Sequence, residues 1–259
     1  MIGILKTAER ANSHSYSNNY VYQRHVFAYK AIPPAAIHNK MVLELGCGEG
    51  YGMEMLCGNV TSWTAVDKKR PAQIHFSGNL DFRRCILPDL SAFNDESFDT
   101  IICFQVIEHI SDDHALMREM KRILRTGGIL YLTTPNKRMS LTRNPFHIRE
   151  YSPVQMAALA AEHFDSPEIR GIFGNQLVMD YYESNKNSVD KILRYDLLHL
   201  QYRLPAFMLR GIYSLLNNYN RLLIAKQVPD ITSAIHHTDF FLDSHAGNCL
   251  DFFLELKKR

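Results

Sequence analysis

Met41-Val42-Leu43-Glu44-Leu45 runs straight into Gly46-Cys47-Gly48-Glu49-Gly50-Tyr51-Gly52, and this junction sets the architecture. A short apolar run closed by glycine predicts a buried strand. Alternate glycines let the backbone turn sharply and approach a ligand closely, because they carry no Cβ. A short helix is predicted to follow, over about residues 51–57. Strand, glycine turn and helix make a nucleotide-type loop. A dinucleotide fingerprint would need a third glycine where Tyr51 stands, so the spacing argues against a redox enzyme.

Working outward, residues 63–67 read as a second strand ending on Asp67, residues 82–86 as a third and residues 99–106 as a fourth. Ser111 is the expected N-cap of a helix with Asp112 and Asp113 in its first turn, stopped by Gly127-Gly128. Residues 129–134 form a fifth predicted strand. Ser152-Pro153-Val154-Gln155 is a capping box that opens a helix through about residue 162. Upstream, a helix is expected over residues 20–31, ended by Pro33-Pro34. This alternation predicts a doubly wound α/β fold with a mostly parallel sheet. After residue 175 apolar residues fall at helical spacing over residues 189–204, and Pro205 starts a second helix. Residues 239–243 and 250–256 are extended, and the last completes the sheet as an antiparallel strand. The expected division is an N-terminal helical segment over residues 1–40 that covers the site, a core over 41–174 plus 235–259, and a late helical insert over 175–234.

The 259 residues carry a net charge of +2, so no global field draws the chain to nucleic acid or membrane. Five cysteines at long spacings, with no Cys-x-x-Cys, oppose a disulfide framework or zinc knuckle and suit a reducing cytoplasm. No window reaches the ~18 apolar residues of a membrane span.

Val42-Leu43-Glu44-Leu45-Gly46-Cys47-Gly48-Glu49-Gly50 resembles the first motif of the class I S-adenosylmethionine-dependent methyltransferases. Asp67, Pro88-Asp89-Leu90, Asp95-Glu96-Ser97-Phe98-Asp99 and Leu124-Arg125-Thr126-Gly127-Gly128 resemble its later motifs in order, and the ubiquinone-biosynthesis enzymes are similar. The resemblance implies a Rossmann-like methyltransferase sheet that binds S-adenosylmethionine and releases S-adenosylhomocysteine. Gly46, Cys47 and Gly48 would line the methionine moiety, and Glu44 would fix the loop or the cofactor amino group. Asp67 would hold the ribose hydroxyls with Lys68 beside it. Asp89 and Leu90 would flank adenine, and Gln105 would sit under the methionine end. Tyr22-Gln23-Arg24-His25 resembles an upstream helix whose arginine, here Arg24, binds the cofactor carboxylate; His25 replaces the usual tyrosine.

Glu108 and His109 follow the fourth strand, at the edge where open α/β sheets bind ligands. His109 is the candidate general base, because an imidazole exchanges protons near neutral pH. The other reading of the pair is that it buttresses the loop. Enzymes with Glu-x-x-Glu-His here can bind a divalent metal; Gln105 removes the first carboxylate. No metal is therefore expected, and Glu108, His109 and His147 are the ligands a site would use. The expected reaction is direct in-line methyl transfer to oxygen or nitrogen of a small molecule. A metal-assisted RNA 2′-O-methyltransferase and a non-catalytic cofactor-binding module stay open as alternatives.

Between residues 186 and 226 Lys186, Lys191, Arg194, Arg203, Arg210, Arg221 and Lys226 outnumber Asp190 and Asp196, a net +5. A solvated packed subdomain, a lid, a homodimer contact and peripheral membrane contact are the readings of this insert. Nucleic acid is not an expected partner.

Overall fold

The computed structural model describes residues 19–72, 74–194, 203–227 and 229–259. Its helices are α1 (Asn19–Lys30), α2 (Tyr51–Leu56), α3 (Asp113–Ile123), α4 (Pro153–His163), α5 (Gln176–Leu193), α6 (Ala206–Gln227) and α7 (Pro229–Ala234). The strands are β1 (Met41–Leu45), β2 (Ser62–Asp67), β3 (Leu80–Arg84), β4 (Phe98–Phe104), β5 (Leu124–Pro135), β6 (Glu168–Gly174), β7 (Phe240–Asp243) and β8 (Asp251–Lys257). They form one sheet in the order β3-β2-β1-β4-β5-β8-β6-β7. Pairing is parallel from β3 through β5, and β8 runs antiparallel to β5 and β6. The predicted doubly wound sheet with an antiparallel last strand is what the chain adopts. Order reverses between β1 and β4, which opens a crevice at the carboxyl ends of those strands.

The residues group into two compact units. The sheet unit comprises residues 25–139, 148–173 and 242–259. Its core places Leu43, Leu45, Ile101, Leu130, Leu132 and Leu254 of the strands with Leu116, Met120 and Ile123 of α3 and Met156 of α4. Each such fully buried side chain contributes about 1.5–3 kcal/mol. The helical unit takes the described part of residues 19–24, 140–147 and 174–241. Within it Asn220 of α6 bonds Ser188 and Asn185 of α5, and Arg210 of α6 lies over Phe146. This grouping is drawn differently from the expected division: the start of α1, the loop at 140–147 and residues 235–241 fall with the insert, and residues 25–40 fall with the sheet. Residues 1–18 of the predicted N-terminal segment lie outside the described residues.

Four local expectations are corrected. The N-cap of α3 is Asp112 rather than Ser111, and its carboxylate accepts from Ala115 N at 2.8 Å. Gly127-Gly128 does not stop α3, which ends at Ile123 with β5 following at once. The glycines instead sit where the β4–β5 register shifts, and Gly127, at φ 81°, donates its N–H to Lys258 O. A left-handed glycine serves such a register shift as well as a helix terminus, which is why local sequence misplaces it. The third strand starts at Leu80 because Trp63 of β2 pairs there, two residues earlier than its apolar pattern suggests. In the insert the first helix starts at Gln176 and is described to Leu193; residues 195–202 of the predicted helix lie outside the described residues.

Candidate active site

The glycine turn is built by the strand beside it. Gly46 N and Cys47 N both donate to Val66 O of β2, at 2.7 and 3.0 Å. Gly46, Gly48 and Gly50 all take positive φ, at 71°, 57° and 83°, a region that a Cβ penalises. A Cβ on Gly46 would also strike Val106 Cγ2, so this position carries the turn and the β4 end against each other. A Cβ on Gly48 would meet nothing nearer than Gly46 O at 4.0 Å, which leaves that stretch of backbone accessible. Cys47 is buried.

Asp67, the last residue of β2, faces the turn. Its Oδ2 accepts from Gly48 N at 3.0 Å and its Oδ1 from Lys69 N at 3.0 Å. Lys68 lies on an open basic cleft with Lys69, Arg70, Phe82 and Arg84.

Beneath the turn, Glu44 is buried at 1% exposure. Its carboxylate accepts from Tyr29 OH at 2.8 Å and Trp63 Nε1 at 3.2 Å. Burial raises its pKa to about 7, against the opposing pull of these two donors. Gly52 passes close enough that a Cβ would collide with Tyr29 and Glu44. Glu44 thus lies under the loop with both carboxylate oxygens bonded. Tyr29 and Trp63 were not identified from the sequence. Their only signal was type: a lone tryptophan in β2 and a tyrosine in α1 each carry a donor that burial obliges them to use. His25, also on α1, bonds Tyr51 OH through Nδ1 at 2.7 Å.

The end of β4 supplies the opposite wall. Gln105 has φ 55°, donates its backbone N–H to Thr133 O at 2.9 Å and lies 3.3 Å from Thr133 Oγ1 through Nε2. A turn of 3-10 helix then carries Ile107, Glu108 and His109. Glu108 is buried at 1% exposure and accepts from Thr134 Oγ1 at 3.0 Å. Its carbonyl accepts from Ile148 N at 2.8 Å, which ties the chain after the 140–147 loop to this turn. His109 is half-buried at the end of the turn. Asp113, read only as a first-turn acid, has a further task. It accepts from Tyr151 OH at 2.7 Å and pairs with Arg149. Burial pushes its carboxyl up, but these partners outweigh burial and hold it below the ordinary aspartate value.

At the β3 end, Asp89 is exposed and its carboxyl is lowered by the hydrogen bonds from Ser91. Leu90 is buried in the core, main chain included, and its carbonyl accepts from Phe93 N and Arg122 Nη2 at 3.0 Å each. The sheet unit thus brings together Glu44, Gly46, Cys47, Gly48, Asp67, Gln105, Glu108 and His109 along the carboxyl ends of β1, β2 and β4. Arg24 and His147 belong to the helical unit, where Arg24 lies over the Tyr20 ring and His147 bonds Asn144. An accessible glycine backbone next to a carboxylate that can accept from two hydroxyls suits an adenosine-bearing cofactor.

A family model described as a methyltransferase domain matches residues 43–132. A "probable S-adenosylmethionine-dependent methyltransferase" of Mycolicibacterium smegmatis is 30% identical over 176 residues, 64% of this chain and 68% of that one. One of the same description from Mycobacterium tuberculosis is 34% identical over 160 residues, 59% of this chain; the match spans 58% of that relative's length. A ubiquinone biosynthesis O-methyltransferase of Xanthomonas oryzae pv. oryzae is 34% identical over 103 residues, 37% of this chain and 43% of that one. The fold is shared with an S-adenosylmethionine-dependent methyltransferase from Thermotoga maritima, with a TM-score of 0.58 and 14% identity over 94% of this chain and 91% of that one. On sequence, sheet order and the glycine turn together, the chain belongs to the class I S-adenosylmethionine-dependent methyltransferases.

Proposed function

We propose that the chain methylates an oxygen or nitrogen atom of a small molecule, with S-adenosylmethionine as donor. The observation that carries this reading is the carboxylate of Asp67 set 3.0 Å from Gly48 N, where a Cβ would meet nothing nearer than 4.0 Å. When bound, the cofactor supplies a sulfonium methyl group that is already activated, so the chain's task is mainly to position and to move a proton. Asp67 accepts from the ribose hydroxyls, with Lys68 alongside. Gly46, Cys47 and Gly48 line the methionine end, with Gln105 beneath it. Asp89 flanks adenine, with Leu90 behind it in the core. His109 takes the acceptor's proton. Glu108, fastened by Thr134, sets the turn that presents His109 and acts as a positioning residue.

An oxygen acceptor is supported by the base at His109 and by the name of the Xanthomonas relative. Five cysteines, none in a disulfide, suit a reducing, cytoplasmic setting. No described helix is long and apolar enough to cross a membrane. Calorimetry with S-adenosylhomocysteine tests the site. Binding is expected, and Asp67→Ala should weaken it roughly 100-fold, the loss of two hydrogen bonds to a charged acceptor. Equal affinity in the variant would remove the ribose assignment.

A further inference from the structure

A second cluster of metal-type ligands lies on the helices of the sheet unit, outside the residues assigned above. His114 is the second residue of α3, and Glu162 and His163 are the last two of α4. His114 Nδ1 stands 3.1 Å from His163 Nε2 and 3.2 Å from Glu162 Oε1, and the third side of the triangle is 4.0 Å. Bonds of about 2.0–2.1 Å to a tetrahedral zinc ion would put neighbouring ligand atoms about 3.3 Å apart. The observed triangle brackets that spacing. Each of the three atoms can offer a lone pair, and a cation among them would satisfy all three at once.

We propose that His114, Glu162 and His163 bind a zinc ion, or another borderline divalent transition metal, that joins the start of α3 to the end of α4. Two imidazoles and one carboxylate make a ligand set that zinc accepts, with the fourth position left to water. His163 is buried beneath the exposed Glu162, so the triangle is held from the inner side of the helix pair. Lys121 Nζ donates to His163 O at 2.6 Å, which fixes the last turn of α4. The carbonyl end of α4 also favours a cation there.

The test uses the full chain after removal of adventitious metal with a chelator. Cobalt(II) is titrated in and followed by its visible d–d absorption, then displaced with zinc. One saturable equivalent is expected, with a rise in Tm on zinc addition. His114→Asn and Glu162→Gln should each weaken cobalt binding roughly tenfold or more, at least what losing an outer partner of a ligand costs. His114 is half-buried and Glu162 exposed, so both variants should keep the far-ultraviolet spectrum of the parent. Absence of a saturable band, or a smaller loss in either variant, overturns the proposal.

Discussion

Glu44, Glu108, Asp113 and Asp251 are buried carboxylates of the sheet unit, whereas the buried polar side chains described in the helical unit are Ser188, Asn220 and Thr232. Burying a carboxylate is costly unless donors meet it. The sheet unit meets that cost where strand ends must hold loops in fixed positions. Glu44 anchors the turn after β1, Glu108 the turn after β4, and Asp113 the chain at 149–151. The described part of the helical unit is mostly helix packed on helix. Neutral bonds suffice there, as in the 2.8 Å contact from Asn220 Nδ2 to Asn185 Oδ1. The contrast teaches that charge is buried where strand ends must fix loops and that neutral groups serve where helices pack on helices.

Four experiments bear on this contrast, from the largest expected effect to the smallest. His109→Ala should lower kcat roughly 100-fold or more, as loss of a general base does, with S-adenosylhomocysteine affinity unchanged. A parent-like rate in steady-state assays would leave the turn with a structural task only. Next is pH. Glu44 has an ordinary value of 4.5 and a folded value of about 7, so the folded chain holds this proton more tightly than the unfolded chain does. Stability from this group is full below 4.5 and is lost as pH rises through about 7. The loss is on the order of 3 kcal/mol. Urea unfolding across that range should show the decline, and Glu44→Gln should flatten it. A parent whose stability does not fall would contradict the buried-acid account.

Thr134→Val deprives the Glu108 carboxylate of a donor and should cost about 1–3 kcal/mol in the same unfolding experiment. Asn220→Ala should cost less, about 1 kcal/mol, with no dependence on pH between 5 and 8 because no charge is involved. A pH-dependent loss in that variant would break the distinction between the units.

Much of the fold was legible locally. The apolar runs of β1 and β4, the capping box at Ser152 and the carboxylate ending β2 are patterns of neighbouring residues, and the structure has each in place. The glycines at 127 and 128 were misread because a positive φ serves a bulge as well as a helix terminus. The support of the site was illegible for a different reason. Tyr29 and Trp63 reach Glu44 from 15 and 19 residues away, and Thr134 reaches Glu108 across 26.

By itself, the sequence determined the strand–turn–helix order, the class of cofactor loop and the residues at the strand ends, because hydrophobic period and glycine spacing act over a few residues. Only the tertiary structure decided which donors meet the buried acids, that Val106 closes on Gly46, and that His114 faces the end of α4. Those contacts depend on sheet register and helix packing, which bring together segments far apart in the chain and leave no mark on either segment alone.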